Sequence, residues 1–213
     1  MSHKVHVLPK NFYQSTDVVD LAKQLLGTII TTEISSKITT GIIVETEAYR
    51  GPDDKGCHAY GGRFTDRTKT MYNTGGSVYV YICYGIHPMF NVVTGPEGDA
   101  HAILIRAIEP VSGIEIMQER RNLYSLKPEL TNGPGKLAVA LGISKEMDGS
   151  LLYENNQPVS IGKGTIMVEE KDIISGARVG MSVHVGTCAY RPWRFYIKDN
   201  PWVSKPLVVN YKW

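Results

Sequence analysis

Residues 39–54 read TTGIIVETEAYRGPDD, and the fold follows from how this stretch is understood. An apolar run, Ile42 to Val44, leads into two glutamates and a tyrosine before a Gly-Pro turn. Strand faces alternate with period two, so Glu45, Glu47 and Tyr49 share one face and Val44, Thr46 and Ala48 the other. Just upstream, TIITTEI (28–34) and the polar turn SSK supply the first half of a β-hairpin. A helix precedes the hairpin. Thr16 caps it, Val18, Leu21, Ala22, Leu25 and Leu26 form its apolar stripe, and Gly27 stops it.

Downstream, residues 50–76 form a long loop with one helical turn near Arg67–Tyr72. Three strands follow, SVYVYICY, PMFNVVT and HAILIRAI, and Pro110 closes the sheet region. Ser112 and Glu115 read as a capping box for a helix to about Arg121. Pro134 opens a second helix that Gly142 ends. The last third reads as short strands: LLYE, PVSIG, TIMVEE, ARVGMSVHV and WRFYI. One helix, a β block, two helices and a β block is neither βαβ alternation nor a plain sandwich. It predicts an α+β fold, a single domain over 1–213 with mainly antiparallel pairing and flanking helices.

Composition sets bounds on function. Of 213 residues, 42% are apolar and 21% charged, which suits a soluble globular chain. The start, MSHKVHVLPK, has no signal-peptide core, and no apolar run approaches the ~20 residues of a membrane helix. The three cysteines, Cys57, Cys83 and Cys188, argue for a reducing cytoplasm rather than a disulfide framework. Net charge is +2, but its distribution is uneven. Ten basic residues balance ten acidic ones up to Arg106, whereas six basic residues face one acid from Gly176 onward. That excess reads either as a polyanion footprint or as a solvated basic face.

The chemistry-bearing residues are few. Glu45 and Glu47, at the end of an apolar strand, are either a solvated strand end or a general base held by a rigid element. Cys57-His58 invites a metal reading, but no second pair stands at ligand spacing, so no metal and no cofactor are expected. There is no nucleophile elbow, and GPGK at 133–136 lacks phosphate-loop spacing. In YVYICYGI (79–86), Tyr79 and Tyr81 share a face while Tyr84 falls out of step beside Gly85.

Taken in order, ETEAYRGPDD, CHAYGGR, TDRTKTMY, YVYICYG, Asn91, LIRAIEP, GPGKLAVALGI, ARVG, RFYI and PWVS resemble the alkyladenine (3-methyladenine) DNA glycosylase family over almost the whole chain. The resemblance implies a curved antiparallel sheet in one domain, and a compact bacterial enzyme acting as a monomer on duplex DNA in the cytoplasm, at the nucleoid. It implies flipping of an alkylated or deaminated purine and hydrolysis of its N-glycosidic bond by an activated water, leaving an abasic site without a lyase step. Glu47 then matches the general base, and Arg106 and the Val179 carbonyl match contacts to the water. Tyr49, His58 and Tyr81 match the walls around the base, and Asn91 the residue that crowds guanine's amine. Tyr84 matches the wedge that fills the duplex, while Tyr79 reads as packing. Arg191 and Arg194 are the expected phosphate contacts. Thr68 stands where the family commonly has asparagine, and His87-Pro88 replaces a more aromatic run. Two rivals are a non-catalytic nucleic-acid-binding module, which would gain nothing from the ETEAY glutamate, and a hydrolase of free nucleosides, which would have no use for a wedge.

Overall fold

β2, Lys37–Arg50, is the strand that organises the sheet. The protein is described by a computed structural model over residues 6–164 and 166–205. Around β2 lie β1 (Ile29–Ile34), β3 (Val78–Cys83), β4 (His87–Thr94), β5 (His101–Ser112), β6 (Val159–Gly162), β7 (Ile173–Gly176) and β8 (Arg194–Ile197). The order is β3-β4-β5-β2-β1-β6, with β7 and β8 branching off and β8 pairing with β2. Every pairing among these strands is antiparallel. β5 flanks β2 along its length. On the other edge β1 pairs with its first half and β8 with Glu45–Glu47. The architecture is the expected α+β.

One face of the sheet buries its residues under the helices α1 (Val18–Gln24), α2 (Ile114–Arg121) and α3 (Pro134–Leu141). Ile30, Ile43, Ala48, Val80, Phe90, Ile103, Ile105 and Ile108 meet Leu21, Leu25, Met117, Leu137 and Leu141 there. Burying each large apolar side chain contributes roughly 1.5–3 kcal/mol, so this layer dominates stability. The opposite face carries two smaller clusters. Tyr79, Val93 and Ala102 pack with Cys57, Ala59 and Met71 of the long loop. Ile29, Ile42, Val44 and Ala107 lie beneath Ile197, Trp202 and Val203.

The alternation of β2 breaks in the middle, and this corrects the simple reading of ETEAY. Ile43 pairs with Ile108, Glu45 with Ala107 and Thr46 with Ile105, so the register skips Val44 on one strand and then Arg106 on the other. Each skip is a bulge that sets two successive residues toward one face. Val44 therefore packs on the side of the glutamates, not with Thr46 and Ala48. Thr46 points to the helix layer, where its hydroxyl donates to the Ala22 carbonyl of α1 at 2.8 Å. Without the bulges, the parity of Ile43 would carry Glu45 and Glu47 into the apolar core.

Other boundaries also differ. The cap of α1 is Asp17, whose carboxylate accepts the N–H of Val19 (3.1 Å) and of Asp20 (3.0 Å); Thr16 lies one residue too early. No capping box opens α2. The Ser112 hydroxyl pairs with that of Thr40 across the sheet, and Gly113 takes the cap position at φ +67°, where a Cβ would meet the Ile38 carbonyl. Pro110 does not end the sheet, because it sits opposite Gly41 where the register shifts, a place that tolerates a missing N–H. α3 and Gly142 fall where expected. ARVGMSVHV is not a strand: its Val179 N–H is bound to the Glu47 carboxylate, and a 3-10 segment begins at Val183; Leu151 makes only an isolated bridge to Ser77. TIMVEE forms no strand among its described residues. No helix among the described residues is long and apolar enough to cross a membrane.

Candidate active site

Glu47 leaves β2 on the face away from the helices, and its side chain has no solvent exposure. Three donors surround the carboxylate. The Tyr49 hydroxyl donates to Oε2 at 2.7 Å, the Val179 N–H donates to Oε1 at 2.6 Å, and Arg106 Nη1 lies 3.3 Å from Oε1. Tyr49, Arg106 and Val179 all line one cleft of about 630 Å³, so Glu47 sits directly behind its floor. Burial and the neighbouring Glu47 charge push the Tyr49 phenol well above its ordinary pKa, keeping it a donor.

His58, Tyr81 and Asn91 line the same cleft. The His58 and Tyr81 rings meet edge to face, with centroids 4.6 Å apart. They thus form one wall, and no ring contact among the described residues joins Tyr49 to either of them. The tautomer of His58 follows from its neighbours. Arg67 Nη2, which can only donate, lies 3.1 Å from Nε2, so Nε2 accepts and Nδ1–H faces the Tyr79 hydroxyl at 3.0 Å. Burial, with Arg67 and Arg63 adding to it, lowers the His58 pKa from 6.5 to about 4, so the ring is neutral. Tyr79 is thus more than packing: it orients His58. Asn91 donates its amide to the carbonyls of Tyr79 and Met89, both at 3.1 Å, which fixes its oxygen as the pole left for the cleft.

The long loop is pinned above the site by residues the sequence did not single out. Arg178 forms a fully buried pair with Asp54, with Nη2 to Oδ1 at 2.7 Å. It also donates to the carbonyls of Ala48 and Cys188 and lies 4.6 Å over the Tyr49 ring. Breaking such a pair costs roughly 3–5 kcal/mol, because it strands a buried charge. The sequence signals for it were the places of Arg178 in ARVG and Asp54 in ETEAYRGPDD, and the basic excess after Gly176, which pointed to the surface. Arg67 was also missed; its guanidinium lies 4.9 Å from the Tyr81 ring. Thr68 holds the loop: its hydroxyl accepts the Thr65 N–H and donates to the Arg63 carbonyl, both at 2.9 Å.

Tyr84 stands at the β3–β4 tip, 92% exposed, on the rim of the same cleft. Tyr84 and Gly85 both have positive φ, +51° and +74°, as a tight hairpin turn demands, and the turn rather than the strand aims the ring. Arg191 lies away from the cleft, on Trp193 at 4.5 Å and beside Asp53 at 3.3 Å. Arg194 corrects an expectation. It is buried, and its Nε donates to Glu45 at 2.6 Å, so its guanidinium is held inside and does not face a phosphate backbone.

A family model described as methylpurine-DNA glycosylase matches residues 11–201. The chain belongs to that family. This glycosylase is 48% identical over 194 residues to a Chlamydia pneumoniae protein, covering 90% of this chain and 95% of that one. It is 42% identical over 198 residues to a Natranaerobius thermophilus protein, covering 92% and 98%. A Bacillus cereus (strain AH820) relative is 42% identical over 208 residues, with the same coverage. Each of the three bears the description "Putative 3-methyladenine DNA glycosylase". Membership makes the chain a DNA-repair enzyme, a hydrolase acting on N-glycosyl bonds.

Proposed function

We propose that the enzyme captures an alkylated or deaminated purine flipped from duplex DNA and hydrolyses its N-glycosidic bond at Glu47, leaving an abasic site. The observation that supports this reading is the buried Glu47 behind a cleft lined by the Tyr49, His58 and Tyr81 rings, which serve as its walls. A flipped base lies between those walls, where each base–aromatic stack is worth roughly 1–3 kcal/mol and tolerates many bases. Asn91 crowds the amine of guanine. A water at the floor attacks the anomeric carbon, Glu47 takes its proton, and the base departs with the bonding pair. Arg106 and the Val179 carbonyl orient the water. Tyr84 fills the space vacated in the duplex, which offsets unstacking.

The whole chain, 1–213, acts as one catalytic unit and as a monomer in the bacterial cytoplasm. The reading has no lyase step: Lys69 is turned to Asp66, 3.4 Å away, and Lys55, which lines the cleft, is the lysine that the borohydride arm of the test interrogates. The relatives' descriptions favour 3-methyladenine among the lesions. The test is incubation with duplexes carrying hypoxanthine or ethenoadenine, and with dimethyl-sulfate-treated DNA, followed by alkali. Alkali-dependent breaks at the lesion support the reading. Breaks before alkali, or a borohydride-trapped adduct, contradict the lyase-free step, and binding without breaks contradicts the whole.

A further inference from the structure

The two bulges set a second acid beside the first. Glu45 has no solvent exposure, yet its carboxylate takes four donors. Arg106 Nε (3.0 Å), Arg194 Nε (2.6 Å) and the Ser204 hydroxyl (2.8 Å) converge on Oε1, and the Ser204 N–H reaches Oε2 at 2.7 Å. The side chains form a buried row of alternating charge: Arg194, Glu45, Arg106, Glu47. Arg194 alone would balance Glu45. The extra link to Arg106 Nε therefore needs a reason beyond charge balance, and its geometry supplies one.

An arginine facing a lone carboxylate tends to close on it through two parallel N–H bonds. Here Glu45 claims the Nε edge of Arg106, so that only Nη1 meets Glu47, at the long distance of 3.3 Å. We infer that Glu45, braced by Ser204 and Arg194, is a positioning residue that holds Arg106 off the base. A bidentate pair with Arg106 would occupy the lone pairs that Glu47 needs for the water's proton. Ser204 is itself anchored, since Trp202 and Val203 just before it pack on Ile29, Ile42, Val44 and Ala107. This inference rests on the reading of Glu47 as the general base.

The test is single-turnover release of methylpurines from dimethyl-sulfate-treated duplex, as a function of enzyme concentration, for Glu47→Gln, Glu45→Gln and Ser204→Ala. In Glu45→Gln the hold on the Nε edge of Arg106 loses its charge, Arg106 closes on Glu47, and the saturating rate falls about ten- to a hundredfold, the range that a misplaced catalytic geometry costs. The concentration that half-saturates the rate, and methylated-DNA binding, are unchanged. Ser204→Ala, which removes one brace and keeps the backbone donor, gives a smaller fall of the same kind, and it carries the test if Glu45→Gln does not fold. A strut that only stabilised the sheet would lower the melting temperature and leave the saturating rate unmoved; that result in the folded variants overturns the inference. Full activity in Glu47→Gln would sink the base assignment and this inference together. An inactive Glu47→Gln beside fully active Glu45→Gln and Ser204→Ala would sink this inference alone.

Discussion

A neutral His58 shows how the site uses single residues. Its ring is held between Arg67 and the Tyr79 hydroxyl, and its pKa lies near 4 rather than 6.5. In the unfolded chain the ring binds its proton at higher pH than in the fold. His58 therefore contributes stability that is complete above about pH 6.5 and lost as pH falls through about 4. Urea denaturation at several pH values should show wild type losing stability more steeply than His58→Asn across that window, by on the order of a few kcal/mol. Parallel slopes would place the ring in a more solvated setting. The identity of this histidine was legible through its motif, but its protonation was not, because Arg67 and Tyr79 come from two other parts of the chain. Glu45 was equally opaque: its partners Arg194 and Ser204 lie about 150 residues away, where no periodicity links them.

Among the elements, the β1–β2 hairpin and α3 were the most legible, whereas the N-caps of α1 and α2 were misplaced. Asp, Pro and Gly act locally at caps and turns, so α3 falls where Pro134 and Gly142 put it. The paired bulges at Val44 and Arg106 were hidden, since GIIVETEAY and LIRAIEP each fit unbroken alternation until laid side by side. ARVG misled for the same reason: its Val179 N–H serves Glu47 rather than a ladder. The β3–β4 tip allows a clean test of one element. Tyr84 is almost wholly exposed, so Tyr84→Ala should leave stability within about 0.5 kcal/mol. Excision should drop for lesions stacked in duplex and change little in single strands, where no gap opens. Equal losses on both substrates, in single-turnover assays, would make Tyr84 an ordinary pocket ring.

At the scale of the whole molecule, the basic excess after Gly176 separates into two kinds of arginine that a charge count treats alike. Arg178 and Arg194 are buried and brace the site, whereas Arg191 stays partly open to solvent. Arg194→Ala should therefore act on stability, costing roughly 3–5 kcal/mol by stranding Glu45. Arg191→Ala should leave stability nearly intact and flatten the log-affinity against log-salt slope by about one unit if it meets a phosphate. An unchanged slope would leave Arg191 a member of the Asp53–Trp193 cluster only. The sheet, its bulges, the pinned loop and the buried charges converge on one carboxylate. The most direct test is thus single-turnover excision by Glu47→Gln on methylated duplex, with binding measured in parallel. Glutamine keeps the shape and loses the basicity, so the rate should fall by at least about a hundredfold while lesion DNA is still bound. Excision at the wild-type rate would show that Glu47 is not the base.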